Sequence, residues 1–226
     1  MKLAALISGG KDSIYALFKA MKEHDVVCLI TVFSKNPESY MFHTPNIWIT
    51  ELQAEAIGLP LVKKTTEGKK ETELEDLKHA ISEAKKKYGI ESIVTGAIRS
   101  NYQASRIEKI CKDLDLQCIN PLWHIDEIEL LNEVKDLRII TIITGIFAFP
   151  LEKEMLGKPV NEEFIKKMID LREKYQINPA GEGGEIETTV LDAPFFKKKI
   201  ELIDTSIEYK NYSGIFKINK ARLVKK

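Results

Sequence analysis

The first part of the chain alternates between two patterns of apolar positions. Short runs rich in branched residues, typical of buried strands, lie at 2–7, 26–33, 61–65, 92–95 and 117–119. Between them, apolar residues recur three and four positions apart and predict helices over 12–23, 47–57, 72–88 and 102–114. Because strands that alternate with helices usually form parallel sheets covered on both faces, the pattern predicts an α/β domain with a mainly parallel sheet.

The regular alternation of strands and helices ends between residues 120 and 130. A helix is predicted over 125–134, an apolar run covers 139–149, and a polar helix is predicted over 162–174. After a glycine-rich loop at 181–184, the chain is largely strand-like, at 188–191, 199–207 and 215–224. We therefore predict a first domain at 1–125 and a smaller mixed α/β domain at 126–226. No proline- or serine-rich linker separates them, so they should pack closely.

Composition and charge narrow the classes of function. The 226 residues include 34 basic and 34 acidic side chains, so the net charge gives no general attraction to nucleic acid or membrane. No apolar stretch approaches the roughly 20 residues needed to span a bilayer. The three cysteines form no Cys-x-x-Cys pair, which argues against a disulfide framework and favours the cytoplasm. We expect a cytoplasmic protein that binds neither membrane nor nucleic acid; a homo-oligomer stays open.

One loop between a predicted strand and a predicted helix carries the strongest chemical signal. It consists of Ser8, Gly9, Gly10, Lys11, Asp12 and Ser13. Unpaired amides at a helix N-terminus attract anions, and two glycines let an anion approach the backbone closely. The segment matches neither the Walker nor the dinucleotide-binding glycine pattern. It favours a cradle for a phosphate chain; the alternative is a tight turn in which Asp12 or Ser13 only caps the helix.

Two later segments are expected beside this loop. Open parallel sheets bind ligands beyond the carboxyl ends of their strands, so the strand ending at Thr95 should place 96–106 on the same rim. Gln103 and Arg106 share a helix face. Either side chain could contact a phosphate or the adenine; the alternative is a pair of solvent-exposed surface residues. The segment 181–188 should close over this rim from the second domain.

Three glutamates lie among the glycines of that closing segment. Glu182, Glu185 and Glu187 have little bulk beside them and could reach a ligand or Mg²⁺. The alternative is a solvated acidic loop. Alternation along a strand that starts here would put Glu185 and Glu187 on one side.

The loop at 8–13 resembles the pyrophosphate-binding loop (PP-loop) of the N-type ATP pyrophosphatases. Further strings narrow the resemblance: ESYMFH at 38–43, GAI at 96–98, YQ at 102–103, RIE at 106–108, PLW at 121–123 and GEGGEIET at 181–188. Together they are similar to the diphthine–ammonia ligase family in its short, archaeal-type form, although Met155 stands where a tryptophan is expected. The resemblance implies a PP-loop, HUP-like nucleotide-binding domain and an AMP-forming carboxylate–ammonia ligase.

The resemblance also implies substrates and residue roles. The diphthine carboxylate of elongation factor 2 would be adenylated by ATP with Mg²⁺, bound by Asp12, and then amidated by ammonia. Lys11, Asp12, Glu185 and Glu187 would be catalytic. The implied ATP- and pyrophosphate-binding residues are Ser8, Gly9, Gly10, Lys11, Asp12, Ser13, Gly96, Ala97 and Arg106. The implied substrate-binding residues are Tyr40, His43, Ser100, Gln103, Glu182, Gly183, Gly184 and Thr188.

Two other functions stay open on the sequence. One is a tRNA-thiolating enzyme of the same ATP pyrophosphatase class, and the other is a nucleotide-binding sensor without turnover. Thiolating enzymes commonly use catalytic or cluster-binding cysteines, whereas Cys111 and Cys118 form no Cys-x-x-Cys pair. A sensor would need the phosphate cradle but has no use for three clustered glutamates.

Overall fold

The computed structural model describes residues 1–36 and 46–226, and a parallel five-stranded sheet forms its first part. The strands are β1 Lys2–Leu6, β2 Asp25–Ser34, β3 Leu61–Thr66, β4 Ser92–Val94 and β5 Gln117–Ile119. The helices are α1 Lys11–Glu23, α2 Ile49–Ile57, α3 Lys70–Tyr88 and α4 Asn101–Asp113. The spatial order β3-β2-β1-β4-β5 reverses at β1, so the carboxyl ends of β1 and β4 border a crevice suited to ligands.

An antiparallel four-stranded sheet and two helices form the second part. Its elements are α5 Glu127–Asp136, β6 Ile140–Phe147, the 3-10 turn Lys153–Met155, α6 Glu162–Tyr175, β7 Ile186–Asp192, β8 Lys198–Lys210 and β9 Ser213–Lys225. The strand order is β7-β6-β9-β8, and β8 pairs with β9 as a long hairpin. The predicted fold class, a parallel α/β sheet followed by a mixed α/β part, is confirmed. Within the described ranges, no helix is long and apolar enough to cross a lipid bilayer.

Apolar side chains cover both faces of the parallel sheet. Alternation along β1 places Leu3 and Ala5 in one cluster and Ala4 in the other. On the Ala4 face, α3 and α4 contribute buried residues such as Leu77 and Ile107. The opposite cluster continues from α1 into α5, β6 and α6, through Leu17, Leu130, Ile143 and Met168. The two parts of the chain therefore share one hydrophobic core.

Local chemistry sets the ends of the helices. The helix predicted from residue 125 begins at Glu127, because Asp126 accepts hydrogen bonds from two first-turn amides at 2.9 and 3.0 Å. Helices α2 and α3 end at Gly58 and Gly89, whose φ angles of 83° and 63° are left-handed. Glycine adopts this conformation without steric strain, which explains why these two ends match the predicted ones.

Candidate active site

A pocket of about 360 Å³ opens at the carboxyl edge of β1 and β4, between the two parts of the chain. Loops after these two strands form one wall, and the segment 181–187 from the second part forms the facing wall. The lining includes Ser8, Asp12, Ser13, Thr95, Gly96, Ala97, Gln103, Gly181, Glu182, Gly184 and Glu187. The structure thus brings residues that are far apart in sequence around one cavity.

The loop at 8–13 holds a fixed shape through its own polar groups and β7. Ser13 Oγ accepts a hydrogen bond from Ser8 N at 3.2 Å and donates to Gly10 O at 3.1 Å. Gly9, with φ of 88°, turns its carbonyl oxygen toward Val190 N at 2.9 Å. The first-turn amides of α1 have no carbonyl one turn earlier in the helix. Their partial positive charge faces the pocket edge and suits an anion.

Gly96 allows the loop after β4 to touch the start of α1. A Cβ atom at this position would lie 2.7 Å from both Asp12 C and Ser13 N, closer than carbon atoms approach backbone. Only glycine therefore fits without displacing the loop at 8–13. The contact fixes the separation of the two loops that line the crevice.

Lys11 and Asp12 occupy different environments. Lys11 is 3% exposed, and its Nζ donates to Ala180 O at 2.5 Å and to Asp12 Oδ2 at 3.0 Å. Its backbone N donates to Thr188 Oγ1 at 3.1 Å. The lysine thereby ties the loop at 8–13 to the second part of the chain. Asp12 Oδ1 lies buried without a hydrogen-bond partner among the described residues, and Asp12 lines the pocket.

The glutamates of the closing segment differ in environment. Glu182 Oε1 accepts hydrogen bonds from the amides of Arg99 and Ser100 at 3.0 and 3.1 Å. Burial raises the pKa of Glu182, and the charge of Asp12 raises it further. Burial also raises the pKa of Glu187 to about 8, and its Oε2 has no hydrogen-bond partner within the described chain. Both side chains line the pocket.

Glu185 lies in the turn before β7, outside the pocket lining. Its Oε1 accepts a hydrogen bond from Asn178 N at 3.4 Å, and its backbone oxygen accepts one from Phe147 N at 2.8 Å. Strand β7 begins at Ile186, one residue after Glu185, so the expected placement of Glu185 and Glu187 on one side stays a prediction. The catalytic role of Glu185 stays a prediction.

The remaining predicted site residues fall into three groups. Gln103 lines the pocket, and the Ser100 hydroxyl caps α4 by accepting from Gln103 N at 3.3 Å. Arg106 lies outside the pocket lining; its guanidinium stacks on the Tyr102 ring at 3.4 Å. Gly183 is exposed at the rim, outside the pocket lining. The predicted residues Tyr40 and His43 lie outside the described residues.

Three further residues shape the site and were not identified from the sequence. Gln53 is fully buried on α2, and its Nε2 donates to Gly9 O at 3.0 Å and Val190 O at 2.8 Å. Asn178 Oδ1 accepts from the amides of Ala180 and Glu182, a turn that the Asn-Pro dipeptide at 178–179 signals. Thr95 Oγ1 donates to Asn120 Oδ1 at 2.6 Å. No sequence pattern distinguishes Gln53 or Thr95 from ordinary polar residues.

The donor set fits a nucleotide with a magnesium ion better than a metal bound by protein alone. Across residues 1–36 and 46–226, no group of three or more His, Cys, Asp or Glu side chains is arranged to hold a metal. Mg²⁺ is commonly held by one or two carboxylates together with substrate phosphates. The unpartnered Asp12 Oδ1, next to the amides of α1, offers such a ligand.

The fold and the loop at its switch point define the class of PP-loop ATP-dependent enzymes. A family model described as "Diphthamide synthase N-terminal domain" matches residues 1–118, and "Diphthamide synthase C-terminal domain" matches 126–224. The chain is 39% identical to the diphthine–ammonia ligase of Rattus norvegicus and 38% identical to that of Bos taurus. Each alignment covers 91% of this chain and 84% of the relative.

The chain belongs to this family and is an ATP-dependent ligase of diphthamide biosynthesis. Among solved structures, it is similar to a chain described as a predicted subunit of tRNA methyltransferase from Methanocaldococcus jannaschii. That similarity has a TM-score of 0.43 at 17% identity and covers 86% of this chain and 98% of the other.

Proposed function

We propose that this enzyme amidates the diphthine carboxylate of elongation factor 2 in the cytoplasm, using ATP and ammonia. A carboxylate oxygen attacks the α-phosphorus of ATP, the bond to the β-phosphate breaks, and pyrophosphate leaves. Ammonia nitrogen then attacks the acyl carbon, the carbon–oxygen bond to AMP breaks, and the nitrogen loses a proton. The products are the amide, AMP and pyrophosphate.

The observation that carries this proposal is the composition of the pocket. One wall presents the N-terminus of α1 and Asp12, which suit phosphates, while the facing wall presents the pocket carboxylates Glu182 and Glu187. An adenylation followed by amide formation needs these two environments side by side. Holding the reactants in place and neutralising charge account for most of the rate enhancement that such a reaction requires.

The residues of the first wall would hold the pyrophosphate portion of ATP. The first-turn amides of α1 that follow Lys11, whose own amide donates to Thr188, and the hydroxyl of Ser8 support this role. Asp12 would hold Mg²⁺ through its unpartnered Oδ1, and the ion when bound would neutralise phosphate charge. Lys11 would position the closing segment through Ala180 O, with its charge close to the phosphates.

Glu187 would take the proton that the attacking nitrogen loses. Its pKa of about 8 lies close to physiological pH, where a general base combines availability with proton affinity. Glu182 would hold the closing segment on the first part through the amides of Arg99 and Ser100. Both assignments are supported by the presence of these side chains in the pocket lining.

The environment of the cysteines supports amidation over sulfur transfer. Burial raises the pKa of the Cys28 thiol to about 12. The hydrogen bond between Cys111 and Cys118 raises the pKa of Cys111 and lowers that of Cys118. The described pocket lining contains no cysteine. A reactive sulfur nucleophile would need an ionised thiol at the site of the ATP chemistry.

The test is a reaction with purified, diphthine-bearing elongation factor 2, ATP, Mg²⁺ and isotopically labelled ammonium. We expect mass spectrometry to find the label in an amide on the modified histidine, with one AMP and one pyrophosphate per amide by chromatography. Omission of ammonium should stop amide formation. The proposal would be contradicted if ADP formed in place of AMP, or if a folded enzyme left the elongation factor without the label.

A further inference from the structure

Three aromatic side chains of the second part form an exposed cluster. Phe149 is 56% exposed, and its ring centroid lies 5.5 Å from that of Tyr175 and 4.9 Å from that of Tyr212. Both ring pairs meet edge to face. We call these three residues the aromatic cluster. Single exposed apolar residues are common on protein surfaces, whereas contiguous exposed apolar patches are typical of interaction sites.

The aromatic cluster lies outside the pocket lining but is linked to the segment that forms one wall of the pocket. Phe149 follows β6, whose last residue Phe147 donates its amide to Glu185 O at 2.8 Å. Glu185 stands between Gly184 and Ile186, which both line the pocket. Phe149 is therefore two residues from a direct contact with the closing segment.

The other two members of the aromatic cluster reach the same segment by separate routes. Tyr175 ends α6 three residues before Asn178, whose side chain accepts from the amides of Ala180 and Glu182. Tyr212 precedes Ser213, which pairs with Phe147 across β6 and β9. Each of the three aromatic residues thus lies within a few residues of a hydrogen bond or strand pairing that leads to the closing segment.

We propose that the aromatic cluster is the docking surface for the folded protein whose modified side chain enters the pocket. This inference rests on the proposed function. Because that side chain is attached to a protein, its entry presses the protein surface against the rim of the pocket. The aromatic cluster is exposed and linked to one wall of the pocket, which places it to meet that surface. Aromatic residues dominate the energetics of protein–protein contacts.

The occupant is the protein substrate rather than ATP or ammonia. The cluster presents rings rather than hydrogen-bond donors, so it suits apolar side chains that flank the modified residue on the partner. Small substrates need only the pocket itself. Loss of the rings should therefore weaken the use of the protein substrate and leave the ATP site intact.

The experiment compares Tyr212→Ser and the double variant Phe149→Ser with Tyr212→Ser against a matched control. The control is Ile203→Ser, an equally exposed apolar residue at 45%, compared with 41% for Tyr212. It lies on β8, seven residues before the end of that strand and so about 23 Å from the turn that holds Tyr212, at ~3.3 Å per residue. Thermal unfolding confirms that each variant is folded, because all three positions are exposed.

For the double variant we expect the KM for diphthine-bearing elongation factor 2 to rise at least tenfold, with kcat within about twofold and unchanged ATP affinity. Ile203→Ser should match the wild type. An unchanged KM in folded cluster variants, while the wild type amidates normally, overturns the docking surface. If the cluster variants no longer self-associate in sedimentation while their KM is unchanged, the cluster is an interface between two copies of this chain. That result also overturns the docking surface. A wild-type enzyme that does not amidate elongation factor 2 overturns the proposed function first, and the docking surface with it.

Discussion

Glu187 gives the folded protein a pH dependence that can be measured. Its carboxyl is buried, and its pKa rises from 4.5 to about 8 in the folded state. Between these values the folded state binds more protons than the unfolded state, so stability falls as the pH rises. Each unit of pKa shift corresponds to ~1.4 kcal/mol, which makes the effect a few kcal/mol in total.

We expect Glu187→Gln to remove this slope. At a pH of about 9 the variant should be more stable than the wild type by a few kcal/mol, and near pH 5 the two should be similar. Urea unfolding at both pH values measures the difference. The exposed Glu163 provides the control, since Glu163→Gln should retain the wild-type slope. An equal slope in Glu187→Gln would show that the buried carboxyl is solvated in solution.

A substitution at Lys11 distinguishes two roles of this lysine: it holds the closing segment in place, or it binds the phosphates of ATP. Lys11→Met keeps the aliphatic stem but leaves Ala180 O without its donor, at a cost of about 1–3 kcal/mol. We expect kcat for amidation to fall at least tenfold, about 1.4 kcal/mol of barrier, with a smaller change in ATP affinity. Hydrogen exchange should show lost protection at 178–185.

The competing outcome is the one that the sequence alone predicts for Lys11. If Nζ leaves Ala180 O and binds phosphate once ATP is present, calorimetry of Lys11→Met should show weakened ATP binding first. Loss of ATP affinity with unchanged exchange at 178–185 would therefore contradict the tethering role. Lys22→Met, at an exposed lysine later on the same helix, should change neither property.

At the scale of elements, the contact between the loop after β4 and α1 sets the shape of the proposed phosphate site. Gly96→Ala would place Cβ 2.7 Å from the backbone of Asp12 and Ser13, so one of the two loops has to move. We expect ATP affinity to fall at least tenfold, ~1.4 kcal/mol, measured by calorimetry. Gly89→Ala is the control: its φ of 63° is strained but its surroundings are open, so it should lower stability without changing ATP binding.

The elements themselves were largely predictable from the sequence because their apolar periodicity reflects burial. The strand at 117–119 was predicted with its observed bounds, and the parallel sheet follows from the alternation of strands and helices. Strands β8 and β9 each have 13 residues and exceed the predicted 199–207 and 215–224 by one to three residues at each end, because they stay paired up to the turn between them. Hydrogen bonding between partners leaves no periodic signal in either strand alone.

The site was only partly predictable for a related reason. The loop at 8–13 and Gly96 follow adjacent strands, so the parallel sheet itself brings them together. The orientations of Lys11, Glu185 and Glu187 depend on how the second part packs on α1. That packing involves positions more than 100 residues apart, which no local pattern encodes, and it turns Lys11 toward Ala180.

At the scale of the whole molecule, the two parts are joined by packing as well as by the site. Phe18 on α1 stacks on Phe195 with ring centroids 5.6 Å apart, and Tyr15 donates its hydroxyl hydrogen to the Glu133 carboxylate. Trp48 Nε1 donates to Ile218 O at 3.1 Å on the hairpin. These contacts and the shared core make separate motion of the two parts costly. A rigid relation between them keeps the pocket walls at a fixed distance.

This packing predicts that the two parts unfold in one transition. We expect circular dichroism, the fluorescence of Trp48 and the fluorescence of Trp123, each measured in a single-tryptophan form, to give coincident urea midpoints. Leu130→Ala, at a fully buried position of the second part, should lower stability by about 2–5 kcal/mol and shift all three probes equally. Ile203→Ala, at an exposed position, should shift them little. Two separate transitions, with Leu130→Ala shifting the midpoint of only one of them, would show that the two parts are energetically independent. In that case the shared core would not fix the distance between the pocket walls, and the bound substrates would have to do so.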